Sequence, residues 1–266
     1  MRRALTAAAA LVTAAALATG CDTGGANEAA PAPSATATPA TSPSDAPTAS
    51  PSASASPSET PTTAPAPKPQ KLKSGAKGEK VVALQRRLTE LGYWNGKPDG
   101  NFGSQTQQAV FALQKAAGLG RDGVVGPKTQ KALDRGVRPE AKSTSGRVIE
   151  INKKRQLLML VTDGEVTEVF NTSTGSNQHY EQEGRTYLAD TPSGKFRVSR
   201  QIDGWRNAPL GLLWRPKYFN GGIAVHGANS VPPYPASHGC ARLSISAMNY
   251  LWTNDKIPLK TKVWVY

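Results

Sequence analysis

The sequence predicts a mostly β domain, a sandwich or barrel, preceded by a small three-helix domain and a disordered linker. Three observations predict this. Residues 29–67 are Ala, Pro, Ser or Thr at 37 of 39 positions, too little apolar surface to offset the entropy of ordering. From residue 79 apolar residues recur at helical spacing. Beyond residue 146 they alternate as in strands, in short runs bounded by turn residues.

The chain begins with a basic Met1-Arg2-Arg3 and then a run of Ala, Leu, Val and Thr through residue 18. That run is short for a membrane span and reads as a signal peptide over residues 1–20. The Ala18-Thr19-Gly20-Cys21 ending resembles the bacterial lipobox. The resemblance implies that Cys21 is lipidated and becomes the mature N-terminus. Residues 21–70 then read as a tether, which at ~3.1 Å per residue reaches roughly 120 Å when extended. The net charge is +13, concentrated after residue 70. A basic surface suits anionic partners. Export makes nucleic acid the weakest of these, and no nucleic-acid partner is expected.

Residues 71–138 read as the helical domain. Val81, Leu84, Leu88 and Leu91 share one helix face, which Gly92 ends. A second helix carries Val110, Leu113 and Ala117, with Ser104 and Gln107 as a capping box. A third runs from Pro127 to Leu133. Asp99-Gly100-x-Phe102-Gly103-x-x-Thr106-x-x-Ala109 recurs 23 residues later as Asp122-Gly123-x-Val125-Gly126-x-x-Thr129-x-x-Ala132. With Gly75-x-x-Gly78-x-x-Val81-x-x-Leu84-Gln85 and Leu88-x-x-Leu91-Gly92-Tyr93, this resembles the peptidoglycan-binding module of bacterial wall hydrolases. The resemblance implies a three-helix bundle that binds wall peptide or glycan. Tyr93 and Trp94 read either as a binding platform or as core.

Residues 146–266 read as the β domain. Val148–Ile151 and Gln156–Val161 are strand-like, and Asp163-Gly164 is a hairpin turn into Val166–Phe170. Lys195–Val198, Ile223–Val225 and Lys262–Tyr266 continue the pattern, and one helix is expected from Ser244 to Trp252. Residues 176–190 and 201–219 read as loops over a cleft.

With Cys21 acylated, Cys240 has no disulfide partner within the chain. His226 and His238 lie within 14 residues of it. A thiol is mostly protonated at neutral pH, and a neighbouring His can generate the thiolate. The helix expected after Cys240 would favour that anion. A zinc site of His226, His238 and Cys240 is the rival reading.

Ser237-His238-Gly239-Cys240-Ala241-Arg242-Leu243, His226-Gly227, Thr191-Pro192-x-Gly194-x-Phe196 and Ser173-Thr174-Gly175 resemble the L,D-transpeptidases, the YkuD-type fold. The resemblance implies that Cys240 is the nucleophile and His226 its base, oriented by the Gly227 carbonyl. It implies an oxyanion hole of N–H groups around Gly239 and Cys240. Ser237 and His238 would position the loop and substrate, and Arg242 would hold a stem carboxylate or anchor the loop. It implies an acyl-thioester with a tetrapeptide stem of peptidoglycan, a 3→3 crosslink and carbapenem inhibition, with no metal or organic cofactor. The acceptor is left open between a second stem, water and another amine. A wall-binding lipoprotein without catalysis is the remaining alternative. The expected location is the outer face of the cytoplasmic membrane, lipid-anchored and reaching into the wall.

Overall fold

The computed structural model of the chain describes residues 71–266. The expected signal peptide over residues 1–20, the expected lipidation at Cys21 and the expected linker lie outside the described residues.

Three helices come first: α1 (Glu79–Glu90), α2 (Ser104–Ala116) and α3 (Pro127–Asp134). Each ends the same way. A glycine follows the C-cap with positive φ, at Gly92, Gly118 and Gly136. The next N–H then reaches back, as from Tyr93 to Leu88 O at 2.8 Å and Leu119 to Gln114 O at 2.8 Å. The start of α2 differs from expectation. Gly103 is the N-cap, with no side-chain cap. Ser104 is therefore already inside the helix, where it cannot form the capping box.

The repeat has a physical basis in two buried glutamines. Gln85 donates to Asp99 Oδ1 at 2.8 Å and Thr106 Oγ1 at 3.0 Å, and its Oε1 accepts from Gly100 N. Gln114 does the same in the second copy, to Asp122 Oδ1, Thr129 Oγ1 and Gly123 N. Each turn is thus pinned to a preceding helix.

The β domain follows: β1 (Arg147–Asn152), β2 (Leu157–Thr162), β3 (Glu165–Asn171), β4 (His179–Gln182), β5 (Arg185–Leu188), β6 (Gly194–Arg197), β7 (Arg200–Gln201), β8 (Trp205–Ala208), β9 (Gly211–Asn220), β10 (Ile223–Ala228), β11 (Ala241–Ser244), α4 (Ile245–Thr253) and β12 (Lys262–Val265). One sheet has the order β3-β2-β1-β12-β6, with β1 and β12 parallel. The second has the order β11-β10-β9-β7, with β8 on β9 and β10 parallel to β11. Asp163 and Gly164 both have positive φ between the paired Thr162 and Glu165, as a two-residue hairpin turn requires.

The expected loops at 176–190 and 201–219 instead contain strands. The first holds the β4–β5 hairpin and the second β7, β8 and most of β9. The strands β4, β5 and β8 are largely exposed on both faces, as in Arg185–Leu188, so no apolar alternation marks them, whereas β9 buries Leu213 and Lys217–Phe219. Pairing, not burial, makes β4, β5 and β8 strands.

The sandwich core lies between the sheets. Ile149, Ile151, Leu158, Val263 and Val265 face Phe219, Val225, Leu243 and the α4 residues Met248 and Leu251. The outer face of the first sheet is also covered. Leu157, Met159, Val161, Val166 and Val169 join one buried cluster with Val81, Leu88, Val110 and Leu113 of the helices. Tyr93 is fully buried there and donates to Val137 O at 2.8 Å. Trp94 stacks on Phe170 at 5.9 Å and meets Tyr250 at 5.5 Å. These aromatics cement helices to sheet and do not form a platform.

Candidate active site

The parallel pairing of β10 and β11 sets His226 beside Arg242 and Val225 beside Ala241. Cys240 immediately precedes β11, next to Ala224, whose N–H donates to Sγ at 3.4 Å. Ala224 and His226 are two residues apart on one strand and so share a face. The fold therefore brings thiol and imidazole to neighbouring strands, although no hydrogen bond joins them directly. His226 is buried, and its Nδ1 lies 2.9 Å from Gly227 O. A carbonyl only accepts, so Nδ1 carries the proton and Nε2 is left as the free base. Gly227 has no room for a side chain: a Cβ would stand 2.9 Å from Trp214 Cδ1.

The turn before Cys240 is stapled by Ser237. Its hydroxyl donates to Cys240 O at 2.6 Å and accepts from Gly239 N at 3.0 Å. The Gly239 N–H is thus spent within the turn, so the expected oxyanion hole narrows to the Cys240 side. Gly239 has φ +148°, and a Cβ would meet Asp190 O at 2.8 Å. Thr191 Oγ1 donates to Gly239 O at 2.6 Å. His238 is exposed and sits edge-on to Tyr180 of β4, ring centres 4.7 Å apart. Among the described residues no three His, Cys, Asp or Glu side chains converge as metal ligands, so the zinc trio is not assembled.

The buried residues Thr172, Ser173 and Thr174 form a rail beneath the turn. Arg242 N donates to Ser173 O at 3.0 Å, Thr172 Oγ1 to Arg242 O at 2.8 Å and Ser237 N to Thr174 O at 2.9 Å. The helical domain grips the same region. Lys115 Nζ donates to Gln156 O at 2.8 Å, to Thr172 O at 2.9 Å and to Asn171 Oδ1. Gln108 Nε2 reaches Val231 O at 3.2 Å, and Arg121 reaches Pro233 O at 2.8 Å. Sequence reasoning missed these three, because nothing local marks a helix residue whose partner lies in another domain.

The comparisons with known proteins fit this arrangement. The model for the L,D-transpeptidase catalytic domain matches residues 146–265, and that for a peptidoglycan binding domain matches 77–133. A crystal structure of the L,D-transpeptidase (residues 123–326) from Xylanimonas cellulosilytica is 54% identical, with a TM-score of 0.73. The match covers 76% of this chain and 100% of that one. The chain belongs to the L,D-transpeptidase family. Its helical domain also resembles part of the N-acetylmuramoyl-L-alanine amidase CwlL of Bacillus licheniformis, 52% identical over 64 residues, which are 23% of this chain and 18% of that protein. A spore cortex-lytic enzyme of Oceanobacillus iheyensis is 33% identical over 161 residues, 59% of this chain and 55% of that protein. The chain thus spans only 18% and 55% of the length of these two curated relatives.

The electrostatics of the L,D-transpeptidase domain are those of a neutral pair. Burial lowers the His226 pKa to about 4, while the Gly227 carbonyl pulls it up and the Arg242 charge pulls it further down. Burial raises the Cys240 thiol above its ordinary range, against the pull of Ala224 N–H and Arg242. The expectation of a thiolate held by the following helix is corrected here. β11 intervenes, and α4 begins only at Ile245, capped by Ser244 Oγ accepting from Ala247 N at 3.2 Å. The helix field falls off within its first turn and does not reach the sulfur.

Proposed function

We propose that the protein is a peptidoglycan L,D-transpeptidase that uses Cys240 as nucleophile and His226 as base. The observation that supports this most is the neutral His226, whose Nδ1–H donates to Gly227 O while Nε2 stays free. A neutral thiol and a neutral imidazole fit proton transfer during attack, not a standing ion pair. The sulfur bonds to the carbonyl carbon of the third residue of a donor tetrapeptide stem as Nε2 takes the thiol proton. The tetrahedral oxyanion is met by the Cys240 N–H. Collapse breaks the peptide bond, and the imidazolium returns its proton to the departing D-Ala amine. An acceptor amine then attacks the thioester, His226 takes its proton, and the thiol leaves as a 3→3 crosslink forms.

In this reading Arg242 holds a stem carboxylate, and Ser237 and Gly239 shape the turn. The helical domain meets the wall. Cys21 carries a lipid at the outer face of the membrane, and the linker lets the enzyme reach into the wall. The resemblance of the Ser237–Leu243 segment supports carbapenem acylation of Cys240.

The test mixes the chain with disaccharide-tetrapeptide and reads products by mass spectrometry, with Cys240→Ala as control. A 3→3 dimer that requires Cys240 is the expected result. Tripeptide without dimer would indicate water as acceptor. No turnover by folded protein would overturn the enzyme reading.

A further inference from the structure

The outer face of the first sheet is covered by helices only over β2 and β3. Its other half, over β1, β12 and β6, is an open groove of about 700 Å³. Lys195 and Arg197 project into it from β6, Lys262 and Trp264 from β12, and Lys142 from the segment before β1. No Asp or Glu lines it. Among the described residues none of these four cations forms an ion pair with a carboxylate.

The arrangement works against stability. Lys262 stands directly opposite Arg197 across the antiparallel β12–β6 pair, where like charges repel. Two of the cations rest on rings instead of acids, Lys195 4.5 Å over Trp264 and Lys142 3.9 Å over Tyr266. Glu150, on β1 beside the groove, is fully buried and already accepts from Lys142 N, Ser143 N, Ser143 Oγ and Tyr266 OH, and the Asp163 carboxylate is taken by Gly146 N at 2.7 Å. Glu150 holds the inter-domain segment and leaves the groove uncompensated. A fold gains nothing from such a row, whereas an anionic ligand does.

We propose that this groove binds a phosphodiester-linked polyol chain of the poly(glycerol phosphate) type. The charged groups that line it are all hydrogen-bond donors. A neutral sugar carries no charge to set against these cations, whereas each phosphodiester presents two unesterified oxygens that share a negative charge and only accept. The spacing fits as well. Lys195 and Arg197 are two strand residues apart, about 6.6 Å, and Lys262 lies one strand across. A polymer with one charge per three-carbon unit presents anions at that order of spacing. Carboxylates on branched peptide stems are sparser and less regular. The groove lies on the first sheet, whereas His226 and Cys240 belong to the second, so it is a separate site that would hold the protein on a wall polymer.

The test reads binding alone, so it stands whether or not the chain is a transpeptidase. Labelled poly(glycerol phosphate) is titrated with the whole chain by fluorescence anisotropy at low and at physiological salt. The variant K195Q/R197Q/K262Q is compared with K73Q/K97Q/K128Q, which removes the same charge from exposed positions of the helical domain. Binding about tenfold weaker in the groove variant, with a shallower salt dependence and little change in the control variant, is expected. Equal weakening by both variants would show a general field and overturn the groove. Absence of binding by the unaltered chain would overturn it too. Equally tight, equally groove-dependent binding of poly-glutamate would overturn the assignment to phosphodiesters. Circular dichroism of both variants establishes that they are folded.

Discussion

At the residue scale, the decisive feature is a histidine kept neutral by burial beside a thiol kept neutral by the same means. The folded His226 pKa is about 4, against 6.5 for the free side chain. As pH falls the unfolded chain takes up that proton first. His226 therefore contributes stability that is complete above pH 6.5 and is lost as pH falls towards 4, up to about 3 kcal/mol. Denaturant titrations from pH 7 to 5 should show this slope, and His226→Gln should flatten it. The same pair makes a kinetic prediction. Activity that needs neutral His226 and protonated Cys240 should hold steady from about pH 5, and ultraviolet thiolate absorbance should rise only above the ordinary thiol range. A thiolate already present at pH 7 would contradict the neutral pair. Gly227 tests the geometry. In Gly227→Ala the new methyl meets Trp214 and Met248 at 2.9–3.2 Å, an overpacking cost of about 1–3 kcal/mol. Strain there also displaces the carbonyl that orients His226, so kcat should fall more than stability does.

At the element scale, the Ser237–Cys240 turn is held from below by the Thr172–Thr174 rail, and the rail is held by α2. Burial and the Arg121 charge push the Lys115 pKa down to about 6. The three acceptors around Nζ match the three N–H of the ammonium form and pull the other way. Lys115→Met should leave Gln156 O, Thr172 O and Asn171 Oδ1 short of a donor, at about 1–3 kcal/mol each before relaxation and the relief of the buried amine. Thermal melts should show that loss. Turnover by the fraction still folded should drop as well, because Thr172 and Ser173 anchor Arg242 beside Cys240.

Helices and central strands were legible in the sequence because each buries a face at its own period, as Val81, Leu84 and Leu88 do. The strands β4, β5 and β8 were not, because they bury neither face. The Ser237–Leu243 segment was legible because its chemistry is local. Lys115, Gln108 and Arg121 were not, because their partners lie 41 to 123 residues away in the chain.

At the scale of the whole molecule, helices and sheets share a core, and this argues for one cooperative unit over residues 71–266. Leu157, Met159, Val161, Val166 and Val169 would be exposed on the sheet without the helices, an apolar stripe of the kind that drives aggregation. Backbone bonds cross the same boundary, with Val169 N donating to Gly92 O at 2.8 Å and Trp94 N to Val169 O at 3.1 Å. Damage to the helical core should therefore be felt in the catalytic sheets. Leu113 is fully buried in α2, and Leu113→Ala should cost about 2–5 kcal/mol. In a unit of this size that lowers Tm by roughly 5–15 °C. Helical ellipticity reports mainly on α1–α3, and tryptophan fluorescence mainly on Trp205, Trp214, Trp252 and Trp264 of the β domain. Both signals should melt together in the parent chain and shift together in the variant. If ellipticity alone moved, the helices would be an appended module that melts by itself, and the grip of α2 on the Ser237–Cys240 turn would carry no energetic weight.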